Sequence, residues 1–135
     1  MLTTKLIHPE IMAVLSKCGH GDKILISDGN YPLDSKSGTA EKVYLAFAKD
    51  CPTVTKVLEV LNSTVNFEKA ELMTPGMGNE PEIFAEFKNL LPNTEFAMLG
   101  RYEYYDVCCE PQVKLAIQTG ESRVFANILL TVGVA

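Results

Sequence analysis

Two neighbouring stretches set the class of fold: Pro9-Glu10-Ile11-Met12-Ala13-Val14-Leu15-Ser16-Lys17-Cys18-Gly19 and Lys23-Ile24-Leu25-Ile26-Ser27-Asp28. In the first, Ile11, Val14, Leu15 and Cys18 recur at i, i+3, i+4, i+7, the spacing of one helix face. Pro9 suits the first helical turn and Gly19 ends the segment. The second is a short apolar run closed by an aspartate, the pattern of a buried strand. The same alternation continues outward. Residues 29–41 are rich in turn formers and read as a long surface loop. Strands are expected over Glu41–Ala48, Phe67–Met73, Glu95–Leu99, Val113–Gln118 and Asn127–Val132. Helices are expected from Pro52, with Val54, Val57, Leu58 and Leu61 inward, over Glu82–Leu91, and over Tyr102–Cys109. Strand, helix, strand argues for an α/β fold: a single three-layer domain over residues 1–135, with a mainly parallel mixed sheet flanked by helices.

Composition bounds the chemistry. The 135 residues are 47% hydrophobic and 21% charged, the make-up of a globular chain. A net charge of −5 repels phosphate backbones and disfavours nucleic-acid partners. No apolar run reaches the roughly 20 residues of a membrane span. The N-terminus shows no signal-peptide pattern, so a cytoplasmic location is expected. Cys18, Cys51, Cys108 and Cys109 have neither CxxC nor zinc spacing and read as small buried hydrophobes. With only His8 and His20 beside them, no metal site is expected. Phosphate-cradle, dinucleotide and serine-hydrolase motifs are missing.

The densest polar cluster is Gly19-His20-Gly21-Asp22, followed by Asp28-Gly29-Asn30-Tyr31-Pro32. Imidazole changes charge between pH 5 and 8 and can act as acid or base. The flanking glycines leave room around His20, and Asp22 is placed to orient the ring; the alternative is an ordinary turn histidine and turn aspartate. Asp28 stands at the carboxyl end of a strand, where open α/β sheets bind ligands. It reads equally as the cap of the turn that follows. Two or three of the candidates His20, Asp22 and Asp28 are thereby expected to converge on one sheet edge. Arg101 opens the aromatic stretch Arg101-Tyr-Glu-Tyr-Tyr105, and its planar fork can bind hydroxyls, although a surface ion pair is the usual role. Asn127 offers a donor and an acceptor, as sugar hydroxyls require, or serves as a turn residue.

Taken in order, these segments resemble the family of D-ribose pyranases and L-fucose mutarotases. The resemblance runs over nearly the whole chain: the helix from Pro9 into Gly19-His20-Gly21-Asp22, then Asp28-Gly29-Asn30-Tyr31-Pro32, then Arg101–Tyr105, then Thr119-Gly120-Glu121 and Phe125-Ala126-Asn127-Ile128-Leu129-Leu130, and a closing Gly133-Val134. Gly-His-Gly-Asp, Asp-x-Asn-x-Pro and the arginine before the aromatics are closer to the fucose branch.

The resemblance implies cofactor-free interconversion of sugar forms: α with β anomers, and in some members pyranose with furanose rings. It makes His20 the catalytic residue. Asp28, Arg101, Phe125, Ala126 and Asn127 become sugar-binding; Asp22 and Tyr105 are expected in support from their own chemistry, beside His20 and in the aromatic stretch. It also implies a homo-oligomer, a toroidal one and often a decamer, with some members stopping at dimers, and with sites completed across subunit contacts. Tyr31 or Tyr105 supplies an apolar face or a phenol. The family's usual tyrosine is replaced by Phe125, which removes a hydroxyl. A non-catalytic sugar-binding or transport-accessory protein of the same fold is the alternative expectation.

Overall fold

Ile24, Leu25 and Ile26 have no exposed surface, so the strand Lys23–Ser27 runs through the middle of the protein. The computed structural model describes residues 1–135. Its elements run α1 (Pro9–Leu15), β1 (Lys23–Ser27), β2 (Glu41–Tyr44), α2 (Val54–Asn62), β3 (Phe67–Met73), α3 (Glu82–Leu90), β4 (Glu95–Leu99), α4 (Arg101–Cys108), β5 (Val113–Gln118) and β6 (Ile128–Val132). The strands form one sheet in the order β2-β5-β1-β6-β3-β4. β1 pairs parallel with β5, β5 with β2, and β3 with β4, while β6 is antiparallel to both β1 and β3. β1 to β5 therefore point the same way and β6 alone runs back.

Alternation along each strand divides the core in two. Ile24, Ile26, Leu115, Ile117, Ile128, Leu130, Ala70 and Leu72 face α1, α2 and α3. Leu25, Ala116, Leu129 and Met73 face α4 and the segment after β1. Burying a side chain such as Leu25 contributes about 1.5–3 kcal/mol. The result is the three-layer α/β arrangement expected, and no helix is long and apolar enough to cross a membrane.

Several local expectations need correcting. The 29–41 segment is no simple surface loop: Tyr31, Leu33, Ser37 and Ala40 are buried and cover the α4 face of the sheet. At Gly38 (φ +54°) a Cβ would lie 2.5 Å from the Cys109 carbonyl oxygen, so only glycine lets the segment press against the end of α4. β2 ends at Tyr44, four residues early, because the chain breaks from the edge toward Asp50, itself at φ +59°. α1 ends at Leu15 rather than Cys18, and α2 begins at Val54, after Thr53, whose hydroxyl accepts from the Lys56 N–H at 3.2 Å. Of the cysteines only Cys108 is fully buried, and Cys51 is exposed.

Candidate functional site

Because five strands are co-directional, their carboxyl ends share one edge with the start of β6. Asp28 follows β1, Met73 ends β3, Arg101 comes two residues after β4, and Phe125-Ala126-Asn127 leads into β6. Asp28, Asn30, Tyr31, Met73, Arg101, Tyr105, Val124, Phe125 and Asn127 line a cup of about 230 Å³ there. An open groove of about 420 Å³ lies between α2 and α3, but none of its seven lining residues is buried. The cup is smaller and better built, with fixed polar groups at its floor.

That floor is Asp28. Its Oδ1 accepts from the N–H groups of Asn30 (2.9 Å) and Tyr31 (2.8 Å), and its Oδ2 from Ala126 N–H (3.2 Å). The Asp28 N–H donates to Asn127 Oδ1 at 2.9 Å. Burial pushes the Asp28 carboxyl above its ordinary value, against the opposing pull of these backbone donors and the Asn127 amide. Asp28 thus caps the turn and floors the cup at once. Phe125 sits at φ +57°, a left-handed conformation that costs a non-glycine residue about 1–3 kcal/mol. The next residue, Ala126, points its N–H at Asp28; fully buried, it offers the cup no side chain.

The rest of the β5–β6 connection is latched from below. Thr119 Oγ1 donates to the Ser27 carbonyl at 2.8 Å, and the buried Glu121 carboxylate accepts from Arg123 Nε at 3.0 Å. Arg123 also pairs with Glu86 on α3.

The rim is aromatic. Arg101 is exposed and donates Nε–H to the Tyr105 hydroxyl at 3.1 Å, with its guanidinium 5.6 and 5.7 Å from the Tyr105 and Tyr102 ring centroids. The hydrogen bond to Tyr105, with Tyr102 beside it, holds its pKa above the ordinary arginine value. The Tyr31 ring meets Tyr104 and Tyr105 edge-on, but its hydroxyl donates to the Lys36 carbonyl at 2.7 Å. Tyr31 therefore supplies a wall, and Tyr105 keeps the phenol at the rim.

His20 is elsewhere. It precedes β1 while Asp28 follows it, so the five residues of β1 separate them, a rise of roughly 16 Å. The expected convergence of His20 and Asp22 with Asp28 on one edge is wrong within a single chain. Asp22 does not orient the imidazole either; its Oδ2 accepts from the Gly19 N–H at 2.8 Å and closes the turn. The partner of His20 is Glu68 on β3, whose carboxylate oxygens lie 2.9 and 3.0 Å from Nε2. Sequence reading missed Glu68, Met73, Val124 and the Glu121–Arg123 latch; for Met73 the signal was available, since it ends a strand on the binding edge.

The carboxyl ends of the co-directional strands and the start of β6 thus bring a buried carboxylate, an amide and a stacked arginine to one cup of a small α/β protein, the place where such sheets bind ligands. The chain belongs to the RbsD / FucU transport protein family, whose model matches residues 1–135. It is 28% identical over 134 residues to a D-ribose pyranase of Chloroflexus aggregans, covering 99% of this chain and 98% of that protein. A D-ribose pyranase of Photorhabdus laumondii is 31% identical over 135 residues, with 96% and 95% covered. Among solved structures, Bacillus subtilis RbsD complexed with D-ribose superposes with a TM-score of 0.88 at 24% identity, over 100% of this chain and 99% of that one. The fucose mutarotase of Streptococcus pneumoniae in complex with L-fucose superposes at 0.83 and 21% identity, over the same shares.

Proposed function

We propose that this protein is a cytoplasmic, cofactor-independent mutarotase that opens and recloses the ring of a monosaccharide, L-fucose or a related sugar such as D-ribose. The cup of one copy holds the sugar and His20 of a neighbouring copy moves the proton. Ring opening removes the anomeric hydroxyl proton and protonates the ring oxygen as its bond to the anomeric carbon breaks. The free aldehyde rotates, and reclosure reverses the transfers on the other face. Both oxygens sit on one carbon, so a single imidazole reaches both. A positioned acid–base group contributes about 10²–10⁴-fold, enough for a reaction that already proceeds unaided.

Asp28 and Asn127 present the floor, Arg101 and Tyr105 offer hydroxyl partners, and Phe125 and Tyr31 give the apolar ring faces their walls. The observation that carries the two-copy reading is the placement of the cup and His20 at opposite ends of β1. No monosaccharide spans that distance, whereas a ring of identical subunits, a decamer by resemblance, sets one copy's end against the next. The names of the relatives support the reaction class: D-ribose pyranases by sequence, and proteins solved with D-ribose and with L-fucose by fold.

Exchange NMR on L-fucose and on D-ribose tests the proposal. Anomer cross-peaks that build faster with protein than without are the expected result. Sugar binding with no acceleration would favour the accessory reading instead, which the missing hydroxyl at Phe125 and the transport wording of the family description support.

A further inference from the structure

We propose that Glu68 is a positioning residue for His20, holding Nε2–H and leaving Nδ1 as the nitrogen that exchanges protons with the sugar. The inference rests on the reading of His20 as the acid–base group. Both Glu68 oxygens lie within 3.0 Å of Nε2, while Nδ1 has no partner within the chain. A carboxylate accepts only, so Nε2 must carry the hydrogen and the Nδ1 lone pair is the free one.

The backbone is shaped for this contact. Phe67 pairs with Val132 on β6, yet Lys69 pairs with the very next residue, Thr131. Glu68 is therefore the extra residue of a β-bulge, a device that re-aims one side chain out of the sheet's alternation. Without it Phe67 and Lys69 would share a face. With it Phe67 joins the core under α1–α3, Lys69 reaches Glu71 on the opposite face, and Glu68 projects from the end of the sheet.

The strand end opposite the bulge leaves room as well. A Cβ at Gly133 would come 3.2 Å from Glu68 Cβ. The segments carrying the two partners are tied to the same stretch of chain: Gly21 N–H donates to the Val132 carbonyl at 2.9 Å, and Gly133 N–H to the Asn66 carbonyl at 2.7 Å. The pair stays open to a neighbour, with 58% of the His20 side chain and 45% of the Glu68 side chain exposed. When Nδ1 takes the anomeric proton, the imidazolium faces a carboxylate already in contact, and the proton leaves again to the ring oxygen.

Glu68→Ala, Glu68→Gln and His20→Ala test this against the wild type. Solid-state spectra of protein carrying [15N]histidine, recorded where imidazole is neutral, report the ring tautomer; His20→Ala assigns the signal against His8. We expect the Nε2–H form in the wild type, a mixture in Glu68→Ala, and retention in Glu68→Gln, whose amide oxygen still accepts. Exchange at saturating sugar should fall about tenfold in Glu68→Ala and less in Glu68→Gln, the order of one lost charge-assisted hydrogen bond. Sugar affinity should not change, because the cup is untouched. An unchanged tautomer or an unchanged rate in Glu68→Ala overturns the role of Glu68. Undiminished exchange in His20→Ala overturns instead the reading beneath it.

Discussion

The two ends of the sheet use their polar groups in opposite ways. At the cup end Asp28, Thr119, Glu121 and Asn127 are buried, and each makes at least one hydrogen bond to a backbone N–H or C=O group. At the other end His20 and Glu68 stand in solvent, bonded to each other, with one imidazole nitrogen free. The first arrangement holds a shape, since buried polar groups bonded to the backbone rigidify their surroundings. The second keeps a reactive atom available to something outside the chain. In the proposed function, recognition and reactivity lie the length of a strand apart, and one subunit would carry halves of two different sites.

The sharpest way to break this comparison is to remove the reactive end alone. His20→Ala is expected to lower anomer exchange by about 10²–10⁴-fold while sugar still binds the cup, read by exchange NMR beside a titration. Loss of binding together with exchange would mean that the two ends are not independent.

Asp28→Asn attacks the other end. It puts an amide N–H where a backbone N–H donates, and should cost about 1–3 kcal/mol in urea unfolding. The size of that loss should vary with pH in a definite direction. Burial raises the folded pKa of Asp28, so the folded state binds its proton more readily than the unfolded state. Its contribution to stability therefore falls as pH rises through the folded value, and the penalty of Asp28→Asn narrows from acid to neutral pH. A penalty that widens instead would show that the backbone donors outweigh burial.

Arg101→Ala tests the rim. The guanidinium is exposed and touches only the rim tyrosines Tyr102 and Tyr105, so the fold should be unmoved while sugar affinity drops about tenfold, measured by calorimetry. The smallest expected effect is at Phe125. Phe125→Tyr adds one oxygen at the wall of an open cup and should raise exchange on L-fucose severalfold, with the melting temperature nearly unchanged. No gain on either L-fucose or D-ribose would remove the main support for the accessory reading.

Much of the cup end was legible from residue order. Asp28 was found because carboxyl ends of strands are where ligands bind, Arg101 for its guanidinium fork just after a strand and Asn127 for its paired donor and acceptor, and β3, β4 and β5 have the expected limits. The reactive end was not legible in the same way. Asp22 was favoured as the partner of His20 because it is two residues away, but a turn so tight directs its carboxylate to Gly19 N–H. Glu68 is 48 residues distant and arrives only because β6 runs antiparallel and a bulge re-aims one side chain. Neither a reversed strand nor a one-residue register shift leaves a local mark. The left-handed backbone at Phe125 was hidden for a related reason: an aromatic residue gives no warning of positive φ, and here the demand comes from Asp28, 97 positions earlier.

The central claim, that a working site takes the cup of one copy and His20 of another, is tested most directly by mixing two inactive proteins. His20→Ala keeps the cup; a cup-disabled double variant, Arg101→Ala with Asn127→Ala, keeps His20. Refolded together at equal amounts, they should assemble sites with both halves intact and recover about a quarter of wild-type exchange, the share expected from random neighbours in a closed ring. Mixed oligomers of wild-type size that show no recovery above either variant alone would contradict the account.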